Sequence, residues 1–168
     1  EPKQEGENKF FRSGSRKLLQ FALLYLITRG EDASLTKTLL LLSDMGALES
    51  ALYIAQNSDA LNGELKRLAD DLLGKLTDSD RKQFESFREG ALQVLEPYGP
   101  GSLLAEATSH TDFRFSEMKE RNITVYAVSD PTQRDALSEW MGMISWCATT
   151  ELIRAPGKKP VTFLLDEV

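Results

Sequence analysis

Residues 160–168, PVTFLLDEV, set four apolar residues, Val161 and Phe163 to Leu165, interrupted only by Thr162, directly ahead of an acidic pair, Asp166 and Glu167. Such a run suits a buried strand. A strand that delivers two carboxylates at its carboxyl end has the form of a Walker-B-like motif. In that motif an Asp holds magnesium through water and a Glu acts on the water that attacks a nucleoside triphosphate. Exposed acids also follow buried strands in many proteins, so these nine residues alone leave both readings open.

A triphosphate site needs a phosphate loop: two glycines five residues apart, the second followed by Lys and then Ser or Thr, so that backbone amides wrap the phosphates. The sequence contains none. Gly-Lys occurs at Gly74, with Leu76 next, and at Gly157, with Lys159 next, and neither has a glycine five residues earlier. No ATP hydrolysis is therefore expected of this chain, and no cofactor is expected to be held by it.

Upstream of the acidic motif, NITVYAVS (122–129) offers alternating and β-branched residues, Ile123, Val125 and Val128, that suit a strand. Asp130 and Pro131 then open a long helix, roughly 132–154, with Leu137, Trp140, Met141, Ile144 and Ala148 as its apolar stripe, ended by APGKKP. Strand, helix and strand make a βαβ unit, which places its strands parallel in a sheet covered on both faces. Two strands cannot support such a sheet alone, so the tail is expected to be a fragment of a larger α/β domain.

From Ser13 to about Thr108 the sequence reads as short helices, because Leu, Ala, Glu and Lys dominate and Pro occurs only at Pro97 and Pro100. Ser13 or Ser15 is expected to cap a first helix through Thr28, stopped by Gly30. Apolar residues cover nearly its whole circumference, which places it centrally in a bundle. Ser34 caps a second helix through about Ser43, and MGALESALYIAQN supplies a third ending near Asn57. Leu61, Leu65, Leu68, Leu72 and Leu76 form an amphipathic stripe. Thr77 or Ser79 is expected to cap the next helix, whose buried face carries Phe84, Phe87, Ala91, Leu92 and Leu95. Residues 97–101 break it, and a short helix follows near 102–107.

The 168 residues, 41% hydrophobic and 27% charged, are ordinary for a globular protein and exclude disordered, collagen-like and disulfide-rich classes. A net charge of -6 supplies no global attraction to nucleic acid or anionic lipid. The longest apolar run, Leu18 to Ile27, is short of the roughly 20 residues that span a bilayer and reads as a core helix. The N-terminal residues carry no signal-peptide pattern. The single cysteine, Cys147, is expected on a buried helix face, and Trp140 and Trp146 in a helix core. The single histidine, His110, is expected in a loop and gives no material for a histidine-rich metal site or a Ser-His-Asp triad.

Three stretches together resemble a known family: ENKFFRSGSRKLLQFALLYLI (Glu7 to Ile27), TDFRFSEMKERNITVYAVSDP (Thr111 to Pro131) and PVTFLLDEV. They resemble the hexameric coupling ATPases of type IV secretion and bacterial conjugation, the TraG/TraD kind. In that family an all-α domain is inserted in a RecA-like nucleotide-binding domain, between the phosphate loop and the second acidic motif. The resemblance implies a mainly α fold: a lead-in from an absent nucleotide-binding core at 1–12, a helical-bundle all-α domain at 13–110, and a partial RecA-like α/β region at 111–168. It implies that the phosphate loop lies upstream of Glu1. Asp166 would assist magnesium and Glu167 would polarise water, with ATP and magnesium belonging to the parent protein. It further implies a cytoplasmic domain of an inner-membrane-anchored hexamer that works with other type IV secretion components.

In the family the all-α domain receives substrates: relaxase-bearing DNA-protein complexes, effector proteins and chaperones. The corresponding expectation is a cargo-docking surface built from helical acids, Glu64, Asp70 and Asp71 foremost, with Glu31, Asp32, Glu49, Asp59, Asp78 and Asp80 around them. Solvated helix faces account for the same acids. A second reading is direct DNA binding through KFFRSGSRK, where Lys9, Arg12, Arg16 and Lys17 interleave with Phe10 and Phe11. Against it, the aromatics also suit a helix anchor with solvated cations. A third makes the chain a helical insertion of another RecA-like DNA-pumping or secretion ATPase.

Overall fold

A computed structural model describes the backbone of residues 2–30, 33–77, 79–128, 134–157 and 159–164, and the side chains of these from residue 11 onward except 134–136. The chain is mainly α and divides into two compact units, Glu1–His110 and Thr111–Val168. The first unit holds α1 (Pro2–Thr28), α2 (Leu35–Ser43), α3 (Met45–Ala55), α4 (Glu64–Leu73), α5 (Arg81–Leu95) and the short α6 (Leu103–Ala107). The second holds a 3-10 turn at Phe115–Lys119 and α7 (Arg134–Arg154).

Helix α1 packs on α2, α4 and α5, and buries Leu18, Phe21, Ala22 and Leu26 along one side. Ile27 on the same helix stays 55% exposed, so the nearly continuous apolar circumference is only partly covered. The expected start at Ser13 or Ser15 is corrected: α1 begins at Pro2, a residue whose fixed φ suits the first helical turn. No proline follows until Pro97, and the intervening Glu, Lys and Gln are good helix formers. Ser15 is therefore inside the helix, where its hydroxyl donates to the Phe11 carbonyl at 3.1 Å instead of capping.

Two expected caps are observed. Ser34 accepts from the Lys37 amide at 3.2 Å, and Gly30, at φ 70, takes the left-handed conformation that stops α1. Asp44 serves two helices: its amide donates to Leu40 at the end of α2, and its carboxylate accepts from the Ala47 amide at 3.0 Å to start α3. The two helices meet there at 104°. Among the described residues no single helix is long and apolar enough to cross a membrane.

On α4, Leu65, Leu68, Ala69 and Leu72 are buried as the stripe requires. Leu61 departs from it: at φ 55 with Asn62 at φ 56, it lies in a left-handed turn and is 46% exposed. Leu76 falls beyond the helix end at Gly74. The cap of α5 is Asp80, whose backbone carbonyl accepts from the Phe84 amide, and not Thr77 or Ser79, whose hydroxyls face each other at 3.3 Å. Phe84, Phe87, Ala91 and Leu95 fill the core as the spacing predicts.

Side chains tie the bundle together where helix ends leave carbonyls without intrahelical partners. Arg88 on α5 donates to the Leu42 and Ser43 carbonyls of α2 at 2.7 and 2.8 Å. The Thr36 hydroxyl donates to the Tyr98 carbonyl at 2.9 Å, joining the start of α2 to the turn after α5. Among the described residues no buried side-chain polar atom lacks a partner.

In the second unit the expected βαβ arrangement is corrected. Its helix forms, as α7, but 122–128 and the described part of 160–168 have no regular secondary structure. Alternation expresses a preference for extended backbone, whereas a strand exists only when a neighbour takes its hydrogen bonds. Tyr126, Val128 and Leu164 are correspondingly exposed at 83%, 82% and 91%. The 3-10 turn packs on α7 and is held there by Glu151, whose carboxylate accepts from the Ser116 hydroxyl at 2.7 Å and the Ser116 amide at 3.1 Å. The Ser116 hydroxyl and amide hold the Glu151 carboxyl below its usual pKa. Cys147 and Trp146, expected in a core, are exposed, because α7 mixes polar and apolar residues around its circumference without one continuous apolar face, and the covered positions include Ala148 and Leu152.

Candidate functional site

The three foremost acids that the sequence offers as a docking surface, Glu64, Asp70 and Asp71, are paired with cations. Asp71 on α4 accepts from the Lys17 ammonium of α1 at 2.7 Å. Glu64 receives both arms of the Arg67 guanidinium at 2.8 and 2.7 Å, and Asp70 lies 3.4 Å from Lys66. The Lys17 hydrogen bond holds the Asp71 carboxyl below its usual range, and the Arg67 hydrogen bond does the same for Glu64. This face of α4 consequently presents alternating, mutually compensated charge instead of an acidic field. Glu31, Asp32 and Asp78 lie outside the described residues; Glu49, Asp59 and Asp80 are dispersed over α3, the turn before α4 and the start of α5.

The four cations proposed for DNA are not brought together as one patch. Lys17 is occupied by Asp71, and the Lys9 side chain lies outside those described. Arg12 and Arg16 are exposed, one turn apart on α1, along a groove shared with α5. Glu85 and Glu89 line the opposite wall, again one turn apart. Between the two rows lie Phe11, Ser15 and Leu19 from α1 and Ser86, Gly90 and Val94 from α5. Phe11 is anchored by an edge-on contact with the buried ring of Phe87, centroids 6.0 Å apart.

The helices approach closely here because glycine removes side-chain bulk at both contact points. A Cβ on Gly14 would sit 2.3 Å from the Phe87 ring, and one on Gly90 would sit 2.5 Å from the Ser15 hydroxyl oxygen. Nothing in the sequence reveals that α1 and α5 are neighbours, so Glu85 and Glu89 carry no signal there beyond their spacing of four. Arg88, beside them, pairs with Glu85 at 3.1 Å, while the described residues provide Arg12, Arg16 and Glu89 with no ion-pair partner.

His110 lies in a loop with its Nδ1 2.9 Å from the Ser109 hydroxyl. Among the described residues no three His, Cys, Asp or Glu side chains converge as metal ligands. Asp166 and Glu167, the Walker-B-like pair of the sequence, lie outside the described residues.

The family model described as Type IV secretory system Conjugative DNA transfer matches residues 1–168, the whole chain, and the chain belongs to that family. No curated protein and no solved structure matches it.

Proposed function

We propose that this chain, a member of the type IV secretory conjugative DNA transfer family, docks cargo through its helical unit. The cargo would be a relaxase-bearing DNA-protein complex, an effector protein or its chaperone. The observation that supports this reading is the organisation of 1–110 as a helical unit with its own core, in a chain matched over its full length by a conjugative transfer family. A unit that closes on itself has surface to spare for a partner.

The parent protein, in this reading, is a hexameric ATPase anchored in the inner membrane with this unit in the cytoplasm. Asp166 and Glu167 would then belong to its nucleotide site, with Asp166 near magnesium. The described residues do not fit ATP or magnesium by themselves: the sequence has no phosphate loop, and residues 161–164 ahead of the acidic pair form no strand.

Direct DNA contact is the second reading, supported by the exposure of Arg12 and Arg16. Glu89 across the same groove opposes it, since its carboxylate repels the phosphates that the arginines would attract. Pull-down of candidate relaxase, effector and chaperone proteins by the full chain, beside titration of labelled single- and double-stranded DNA at several salt concentrations, separates the two. Docking predicts protein capture with weak DNA binding; tight DNA binding that falls steeply with salt, without protein capture, would reverse the order.

A further inference from the structure

The α1–α5 groove has the features of a seat for one further helix. Its floor is low where Ser15, Ser86 and Gly90 line the seam, and Phe11 and Val94 stand over it 39% and 52% exposed. Its walls carry opposite charge, Arg12 and Arg16 on α1 against Glu89 on α5, with Glu85 beside it already paired to Arg88 at 3.1 Å. The lining positions run from 11 to 19 on one helix and from 85 to 94 on the other, which at 1.5 Å per residue is about 12 Å, two turns of a helix laid along the seam.

We propose that this groove receives an amphipathic helix of a partner protein, whose apolar stripe is flanked by an acidic edge on one side and a basic edge on the other. The inference rests on the cargo-docking reading for the identity of the partner and on the groove alone for its chemistry. Charge complementarity selects this occupant. A nucleic acid strand would meet Glu89 unfavourably, a uniformly basic helix would meet Arg12 and Arg16, and a uniformly acidic one would meet Glu89. A helix with two edges of opposite sign satisfies both walls while covering Phe11 and Val94.

Three synthetic helical peptides test it on the full chain by fluorescence anisotropy. They share one leucine stripe and differ in their edges: one acidic and one basic, both acidic, or both basic. The mixed-edge peptide should bind at least fivefold more tightly than the others. In the Arg12→Glu/Arg16→Glu variant both walls are acidic, so preference should switch to the both-basic peptide by a similar factor. A switch of preference cannot arise from unfolding, which would abolish all binding. Equal affinities for the three peptides, or a variant with unchanged preference, overturns the proposal, as does displacement of the mixed-edge peptide by duplex DNA. Relaxase pull-down on the same two proteins keeps the readings apart. Retained capture without a peptide switch removes the groove and leaves docking, whereas a peptide switch without any cargo capture upholds the groove and removes the docking reading.

Discussion

Lys17 and Asp71 show how a residue's neighbours decide its role. On α1 and α4 they reach each other at 2.7 Å with both side chains partly exposed, at 40% and 33%. A pair of that exposure contributes about 0.5 to 1 kcal/mol. Asp71→Asn should lower unfolding stability by that amount at neutral pH, measured by urea titration. Because Lys17 lowers the folded-state pKa of Asp71, the pair's contribution is fully present above the ordinary carboxylate range and is lost as pH falls through the lowered value. The wild-type and Asp71→Asn curves should therefore converge in acid and separate as pH rises. Arg88 is a stronger tie, 15% exposed and donating to two carbonyls at the end of α2. Arg88→Met should cost about 2 kcal/mol in the same titration, since it leaves those carbonyls without their charged donor.

At the scale of the elements, two glycines with opposite surroundings give a matched experiment. Gly14→Ala drives a methyl into the Phe87 ring and should destabilise by about 1 to 3 kcal/mol despite the better helix propensity of alanine. Gly142→Ala, within α7 and with nothing inside 4 Å, should instead stabilise by about 0.5 to 1 kcal/mol. Thermal unfolding followed by circular dichroism reads both signs. The helices themselves were legible because the spacing of Leu65, Leu68 and Leu72 and of Phe84, Phe87 and Ala91 expresses a single buried face. Ser34 and Gly30 were legible because their chemistry acts within one turn. The start of α1 was not, since Ser13 and Ser15 have the chemistry of a cap and only the continuing helix before them removes the need for one. Residues 122–128 misled for the converse reason: their β preference is local, and the partner strand that would realise it is not.

For the whole molecule, the division at His110 and Thr111 carries a prediction of its own. The unit 1–110 buries Phe21, Leu42, Leu52, Leu68, Phe84 and Phe87 in a core of its own, so a fragment of those residues should fold with a cooperative thermal transition and helical circular dichroism. The candidate site is less legible than the fold. Glu64, Asp70 and Asp71 are a conspicuous acidic group in the sequence, yet Arg67, Lys66 and Lys17 offset them in space. The groove that pairs Arg12 and Arg16 with Glu85 and Glu89 joins residues some seventy positions apart, which no local pattern announces. The docking role of the helical unit is tested most directly by hydrogen–deuterium exchange of the full chain with and without a relaxase or effector that it captures. New protection should appear on α1 and α5 along the groove, with 111–168 unchanged. Protection confined to 111–168, with none on the helical unit, would contradict that role.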